Sequence, residues 1–463
     1  MTTELRSVPR APGRLPLLGH ILPLARRPFA FIGDLRDVGA IVRVELGTSP
    51  VYFLTTPEVI NEVVVGQARS FEKGRLIDRA REFTGNGLLN SDNATNRQRR
   101  RLVQPMLHRA RIQEYSAAMV AHAQALTDSF EAGRVVDVHL AMYEYTINTV
   151  TTSLFSSHAD TAAIDVIRHQ VPFLLKGVMA RAALPALLGR IPVRANREFD
   201  RAVRDVREVI DQLVAGARKN PDDSPDFLST LIAARDDESG AVLSDEEVRD
   251  ELVTVLIGGT DTTASTLAWT FHELAHDPEA EARVLDEVDT VVGEGTIGFA
   301  DIPRLTYLPH VLNEVTRLHA IPVLMRRAVQ DVELAGVRIP AGTELAFSPH
   351  AVHRDPRIYS DPDRFVPERW EGAGSRSRTG TEFLPFSTGP RKCPGEAYAR
   401  MEMPIALATI LSRWRLRPAS DQPVREVLAA VPRPNSLLMK PVARQAGDPS
   451  LAAVLPEAGR RSG

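Results

Sequence analysis

The feature that most constrains this chain is an unbroken helical pattern that opens at Ser244 and runs to about His276, where Asp277-Pro278 stops it. Ser244 and Glu247 have the reciprocal spacing of a capping box, which satisfies two orphan amide donors at the helix start. At 1.5 Å per residue the helix is roughly 48 Å long, enough to cross the whole molecule. Its middle carries Gly258-Gly259, and each glycine there costs about 1 kcal/mol relative to alanine. Something other than helix stability favours them: a kink or close helix contact on one reading, room for a ligand on the other.

The rest of the chain reads as mostly helical. Apolar residues at spacings of three and four predict helices over 97–130, 142–155, 162–179, 194–217 and 226–234, another from Leu308 to about His319, and one from Glu396 to Trp414. Alternating β-branched and aromatic residues predict a strand pair at 41–46 and 51–55 around Gly47-Thr48-Ser49-Pro50, with short strands at 328–334, 337–339 and 344–348. The stretch 355–394 is irregular, and connections that long inside a compact domain are usually functional. The fold class is mainly α with small β-sheets. One domain spans 1–444, with a β-rich N-terminal lobe at about 30–70, a helical core at about 97–320 and a cysteine loop at 386–395; the tail 445–463 reads as disordered.

Composition excludes several classes. With 43% hydrophobic residues, 25% charged and a formal net charge of -3, the chain is neither a disordered nor a nucleic-acid-coating protein, so any basic partner site is local. The single cysteine rules out an internal disulfide framework and any all-cysteine zinc or iron–sulfur site, and it suits a reducing, cytoplasmic setting. Apolar runs in the first thirty residues are broken by Pro16, Gly19, His20 and Pro23. They show no signal-peptide pattern and fall short of the ~20 residues a membrane span needs.

That cysteine lies in Phe386-Ser387-Thr388-Gly389-Pro390-Arg391-Lys392-Cys393-Pro394-Gly395, just before a helix. A lone cysteine without context is most often an inert buried one. Here helix N-terminal amides and the neighbouring Arg391 and Lys392 favour a thiolate, and the glycines permit close approach of a flat ligand. The run Phe-x-x-Gly-x-Arg-x-Cys-x-Gly fixes five letters, a chance match on the order of 10⁻⁴ for a chain of this length.

The run resembles the cysteine-loop signature of the cytochrome P450 family. The resemblance extends from Pro12-Gly13 to about Met439 with every motif in the family's order. It implies a cytochrome P450 fold, with haem b (iron protoporphyrin IX) between a long distal helix and a proximal cysteine-loop helix. Cys393 would be the axial metal ligand, Phe386 would pack near it and Arg391 would pair with a haem propionate.

Gly258-Gly259-Thr260-Asp261-Thr262-Thr263 matches the family's distal-helix pattern. By that match Gly258 makes room for ligand, while Asp261 feeds protons and Thr262 steadies dioxygen. Glu314-Val315-Thr316-Arg317 alone would be an ordinary surface pair. With Pro367-Glu368-Arg369-Trp370, however, it resembles the family's buried triad, here Glu314, Arg317 and Arg369. Arg100 and Arg326 match further propionate-binding positions. Asn96 stands where the family usually has Trp or His, and Arg97, Arg99 or both are expected on a solvated basic face.

The activity so implied is monooxygenation: insertion of one oxygen atom of O2 into a C–H bond of an apolar small molecule. The expected pocket is lined by 74–91, 173–191, 253–258, 320–324 and 435–437. A narrower resemblance, to actinobacterial oxygenases of terpenoid pathways, points to a terpenoid or other secondary metabolite, with fatty acids, steroids and polyketides as alternatives. No reductase-like segment follows the cysteine helix, so a separate ferredoxin with its ferredoxin reductase is the expected electron source. The other expectations are a monomer, no nucleic acid and no membrane span. A haem-thiolate peroxygenase or isomerase, or a haem sensor, would keep the cysteine, but a sensor would not need the Asp261-Thr262 pair.

Overall fold

The computed structural model describes residues 3–156, 158–183, 193–219, 226–236, 238, 240–293, 295–372, 380–429 and 431–444. The tail 445–463 and the pocket positions 184–191 lie outside the described residues.

The long helix spans Asp245–His276 and opens on the capping box read from Ser244 and Glu247. Its most extensive neighbour is the helix Val138–Phe155, whose inward face is almost wholly buried. Gly259 lets the two approach: a Cβ there would lie 3.1 Å from Val150 Cγ2. The helix that follows the cysteine, Glu396–Leu411, is buried along most of its length and packs on Arg109–Ser129. One large apolar cluster joins these helices.

Sequence periodicity places most helices but merges or misses some. The predicted helix 97–130 is two, Asn93–Val103 and Arg109–Ser129, separated by a tight turn Gln104–Leu107. The break falls at His108, whose backbone is extended (φ -74°, ψ 155°), whereas Gln104 before Pro105 is still helical and Pro105 sits in the first turn of the 104–107 segment, where its missing amide proton costs nothing. Asp277-Pro278 does more than end the long helix. Asp277 Oδ1 accepts the Ala280 amide at 3.0 Å and Pro278 occupies the first turn of a further helix, Pro278–Val292, which periodicity did not reveal. The proximal helix ends at Leu411 rather than Trp414, since Trp414 begins the strand Trp414–Pro418.

The strand pair Ile41–Leu46 and Ser49–Leu54 forms as expected, but it belongs to a larger, non-local sheet. Its order is Ile41–Leu46, Ser49–Leu54, Glu344–Phe347, Leu324–Ala328, Phe71–Lys73. Alternate side chains go to opposite faces. Ile41, Tyr52 and Leu54 enter one core cluster, and Val42, Val44, Val51 and Phe53 another. The strand expected at 328–334 is divided between this sheet, which takes Leu324–Ala328, and a small one containing Val332–Leu334. No helix among the described residues is long and apolar enough to cross a membrane.

Candidate active site

The cysteine loop is held from behind by a buried ion cluster. Arg317 donates from Nε and Nη2 to the two carboxylate oxygens of Glu314, each at 2.9 Å, and both side chains are fully buried. Arg369 Nε (2.8 Å), Trp370 Nε1 (2.9 Å) and the Val366 amide (3.0 Å) donate to the same carboxylate. The remaining Arg317 nitrogen, Nη1, reaches the carbonyls of His353 (2.7 Å) and Pro362 (2.6 Å). His353 Nε2 then accepts the Leu384 amide at 2.7 Å, and the Leu384 carbonyl accepts Ser387 N–H at 3.2 Å. The three residues predicted as a triad therefore do meet, and His353 carries their geometry into the loop.

Within the loop, Gly389 has φ +72°, and a Cβ there would overlap the Val64 carbonyl. Only glycine meets both demands. The Cys393 amide donates to the Phe386 carbonyl at 2.9 Å, closing the turn that presents the sulfur. The Phe386 ring sits under the Arg400 guanidinium, 5.2 Å from its centroid.

The thiol's electrostatics differ from the sequence expectation. Its pKa is raised rather than lowered, first by burial and also by Glu396; the Gly395 amide, Arg100 and Lys73 act the other way. The adjacent cations have other partners. Lys392 pairs with Glu396 at 2.5 Å, and Arg391 Nη2 donates to the Ser91 carbonyl (2.9 Å) and to Asn93 Oδ1 (3.0 Å). The sulfur is accessible while protein surrounds it on most sides, so it faces an inner recess.

Across that recess stands a set of uncompensated cations. Arg326 is buried, and among the described residues its guanidinium hydrogen-bonds only to the neighbouring Met325 carbonyl, at 2.8 Å. Its pKa is pulled down to about 10 by burial and by Arg391, and that of Arg391 falls to about 10, chiefly by burial. Arg391 Nη1 is buried without a partner. Lys73, which no sequence motif had singled out, lies directly opposite Arg326 in the strand ladder. Burial, Arg326 and Arg391 push its pKa well below the usual lysine range. Like charges facing each other across a ladder are destabilising. Among the described residues no carboxylate forms an ion pair with Lys73, Arg100, Arg326 or Arg391. This donor set, one thiol sulfur beside four cations, fits a metal-centred dianion with two carboxylates, which is what a haem presents.

On the long helix Thr262 Oγ1 donates to the Gly258 carbonyl at 2.8 Å, and a Cβ on Gly258 would meet nothing within 4 Å. The Asp261 pKa is raised by burial, opposed by Arg433 from the C-terminal hairpin. Arg100 Nη1 reaches the carbonyls of Pro390 (3.3 Å) and Lys392 (2.6 Å), so it braces the cysteine loop from beside the sulfur. Arg99, expected on a solvated face, is buried and donates to Glu247 Oε1 at 2.7 Å; the expectation holds for Arg97, which is exposed. Arg99 turns inward because the long helix offers Glu247 and Glu251 one turn apart.

A sequence profile described as Cytochrome P450 matches residues 9–444. The chain belongs to the cytochrome P450 family. This P450 is 38% identical over 432 residues to cyclooctatin synthase of Streptomyces melanosporofaciens, covering 92% of this chain and 93% of that one. It is also 38% identical to the cyclooctat-9-en-7-ol 5-monooxygenase of the same organism, covering 88% of this chain and 89% of that one. With pentalenene oxygenase of Streptomyces avermitilis it shares 35% identity, covering 94% and 98%. It shares its fold with the haem domain of cytochrome P450DA, at TM-score 0.85, 24% identity, and coverage of 95% of this chain and 98% of that one. It is a P450 monooxygenase, and the family cofactor is a haem-thiolate. Where the family usually carries Trp or His, this P450 uses Asn96 structurally: Asn96 Nδ2 donates to the Leu88 carbonyl at 2.8 Å.

Proposed function

We propose that this P450 hydroxylates an apolar terpenoid, holding haem b through Cys393 and drawing electrons from a ferredoxin. The observation that carries the reading is the convergence of the Cys393 sulfur with Lys73, Arg326, Arg391 and Arg100, cations that lack carboxylate ion-pair partners among the described residues. Arg326, Arg391 and Lys73 hold the propionates through charge-assisted bonds, and Arg100 fixes the loop beside them. The named substrates of the relatives, pentalenene and cyclooctat-9-en-7-ol, support a hydrocarbon-like substrate. So does the segment Ile321-Pro322-Val323-Leu324, which offers no charged group to a ligand.

When bound, the haem supplies the iron at which dioxygen is reduced and one oxygen atom passes to the substrate, with the sulfur's electron donation favouring O–O cleavage. The chain's own residues control access and protons. The Thr262 hydroxyl proton is committed to the Gly258 carbonyl, which leaves the lone pairs of Oγ1 free to accept a hydrogen bond and so to hold a proton donor at that point of the helix. Asp261, whose burial favours the protonated carboxyl, delivers protons beside it.

The test is the visible spectrum of the reduced, carbon-monoxide-bound holoprotein together with turnover of a terpene panel. A thiolate-type band, lost in Cys393→His, with product dependent on O2 and a ferredoxin system, is the expected result. A band unchanged in that variant removes the haem-thiolate assignment. Product from peroxide alone, with none from O2 and electrons, replaces monooxygenation with peroxygenation.

A further inference from the structure

The long helix carries two adjacent acids, Asp250 and Glu251, about two turns before Gly258. Neither belongs to the machinery described above, and both are buried. Each reaches across to the segment 85–88. Asp250 Oδ2 accepts the Asn86 amide at 2.7 Å, and Glu251 Oε2 accepts the Leu88 amide at 3.0 Å. A Cβ on Gly85 would overlap the Asp250 carboxylate, and one on Gly87 would overlap Thr254 Oγ1. Both glycines are therefore needed for the segment to lie flat on the helix. At its other end the same segment meets the cysteine loop, where Arg391 Nη2 donates to the Ser91 carbonyl at 2.9 Å. Residues 85–91 thus form a strap tied to the distal helix at one end and the proximal loop at the other.

We infer that Asp250 and Glu251 are positioning residues that clamp this strap across the mouth of the haem site and so set how easily bulky ligands enter and leave. The inference rests on the P450 reading of the site. The clamp is not an ordinary structural contact, because one half of it is incompletely satisfied. Glu251 Oε1 and the nearest nitrogen of Arg99, Nη1, lie 3.7 Å apart, and both are buried without hydrogen-bond partners. Burial raises Glu251 to about 7; the Leu88 amide and Arg99 oppose this, while Asp250 and Glu247 add to it. Asp250 is also raised by burial, with the Asn86 amide, Arg249 and Arg207 opposing and Glu246 adding.

Linkage gives the direction. If the strap lifts, Glu251 becomes hydrated and its affinity for a proton falls toward that of an ordinary carboxyl. Protonation therefore favours the closed strap, and ionisation as pH rises through about 7 favours the open one.

The experiment uses haem-loaded full-length protein and two azoles that ligate haem iron, imidazole and the bulkier 4-phenylimidazole, followed by stopped-flow absorbance. In Asp250→Ala and in Gly87→Ala the dissociation rate of 4-phenylimidazole should rise about tenfold at pH 6, the scale of one hydrogen bond to a charged group, while imidazole changes little. The wild-type 4-phenylimidazole rate should climb as pH rises from about 4.5 to about 7 and level off above that. Glu251→Gln, which mimics the protonated acid, should stay at the low-pH rate throughout. Rates for the bulky ligand that match wild type in Asp250→Ala and Gly87→Ala overturn the clamp, as does a pH response that survives in Glu251→Gln. The carbon-monoxide spectrum of the same samples separates failure of the clamp from failure of the haem-thiolate reading.

Discussion

Lys73 shows what a single residue can reveal once its neighbours are known. In sequence it is one lysine after Phe71-Glu72, with no motif around it; in the sheet it faces Arg326 directly and shares a recess with Arg391 and Cys393. Two cations paired across a ladder, one buried and one half-buried, oppose folding unless an anion joins them. Lys73→Met should therefore raise the thermal midpoint of the haem-free protein while weakening haem retention about tenfold to a hundredfold, the value of a hydrogen bond to a charged group. Haem transfer to an excess of apomyoglobin measures the second effect, and an unchanged transfer rate would remove Lys73 from the site. The cysteine-loop and triad residues were legible because their spacing is local or their motif fixed. Lys73 was not, since its partner lies about 250 residues away in the chain.

The long helix illustrates the same division at the scale of an element. Its start, stop and paired glycines can be read from the sequence, because capping and periodicity act over a few residues. The use of each face depends on its neighbours: Gly259 takes Val150, while Gly258 keeps open space beside the Thr262 bond. In Thr262→Ala that bond to the Gly258 carbonyl disappears with the hydroxyl itself. Oxygen consumption should continue while product per O2 consumed falls severalfold and peroxide rises, because protons are no longer directed by a positioned group. An oxygen electrode with peroxide and product assays checks this, and full coupling in the variant would exclude Thr262 from proton handling. The split at His108 and the helix launched by Asp277-Pro278 show where periodicity misleads, since the same residues that end one helix can begin the next.

For the whole molecule, stability and site geometry meet at His353. It is fully buried, and its imidazole pKa is lowered to about 3, first by burial and then by Arg317. The folded state binds fewer protons here than the unfolded state between about pH 6.5 and 3, so stability falls as pH drops through that window, by about 1.4 kcal/mol per pH unit. Glu251, raised to about 7, works the other way between its unfolded value and 7, where lowering the pH adds stability. Chemical denaturation across pH 4 to 6.5 should give a shallower acid loss in His353→Gln and a steeper one in Glu251→Gln. Parallel slopes in all three proteins would refute both assignments.

By itself the sequence determined the helical architecture, the identity of the sulfur ligand candidate and the family to which the chain belongs. Each is encoded in short-range spacing, which survives without knowledge of what packs where. The tertiary structure alone decided that Arg99 turns inward, that burial raises the thiol pKa although Arg391 and Lys392 stand next to it in sequence, that Lys73 joins the cation set and that residues 85–91 bridge the two walls of the site. These outcomes depend on burial and on partners distant in sequence, and desolvation outweighs the charge pattern that neighbouring letters alone would suggest.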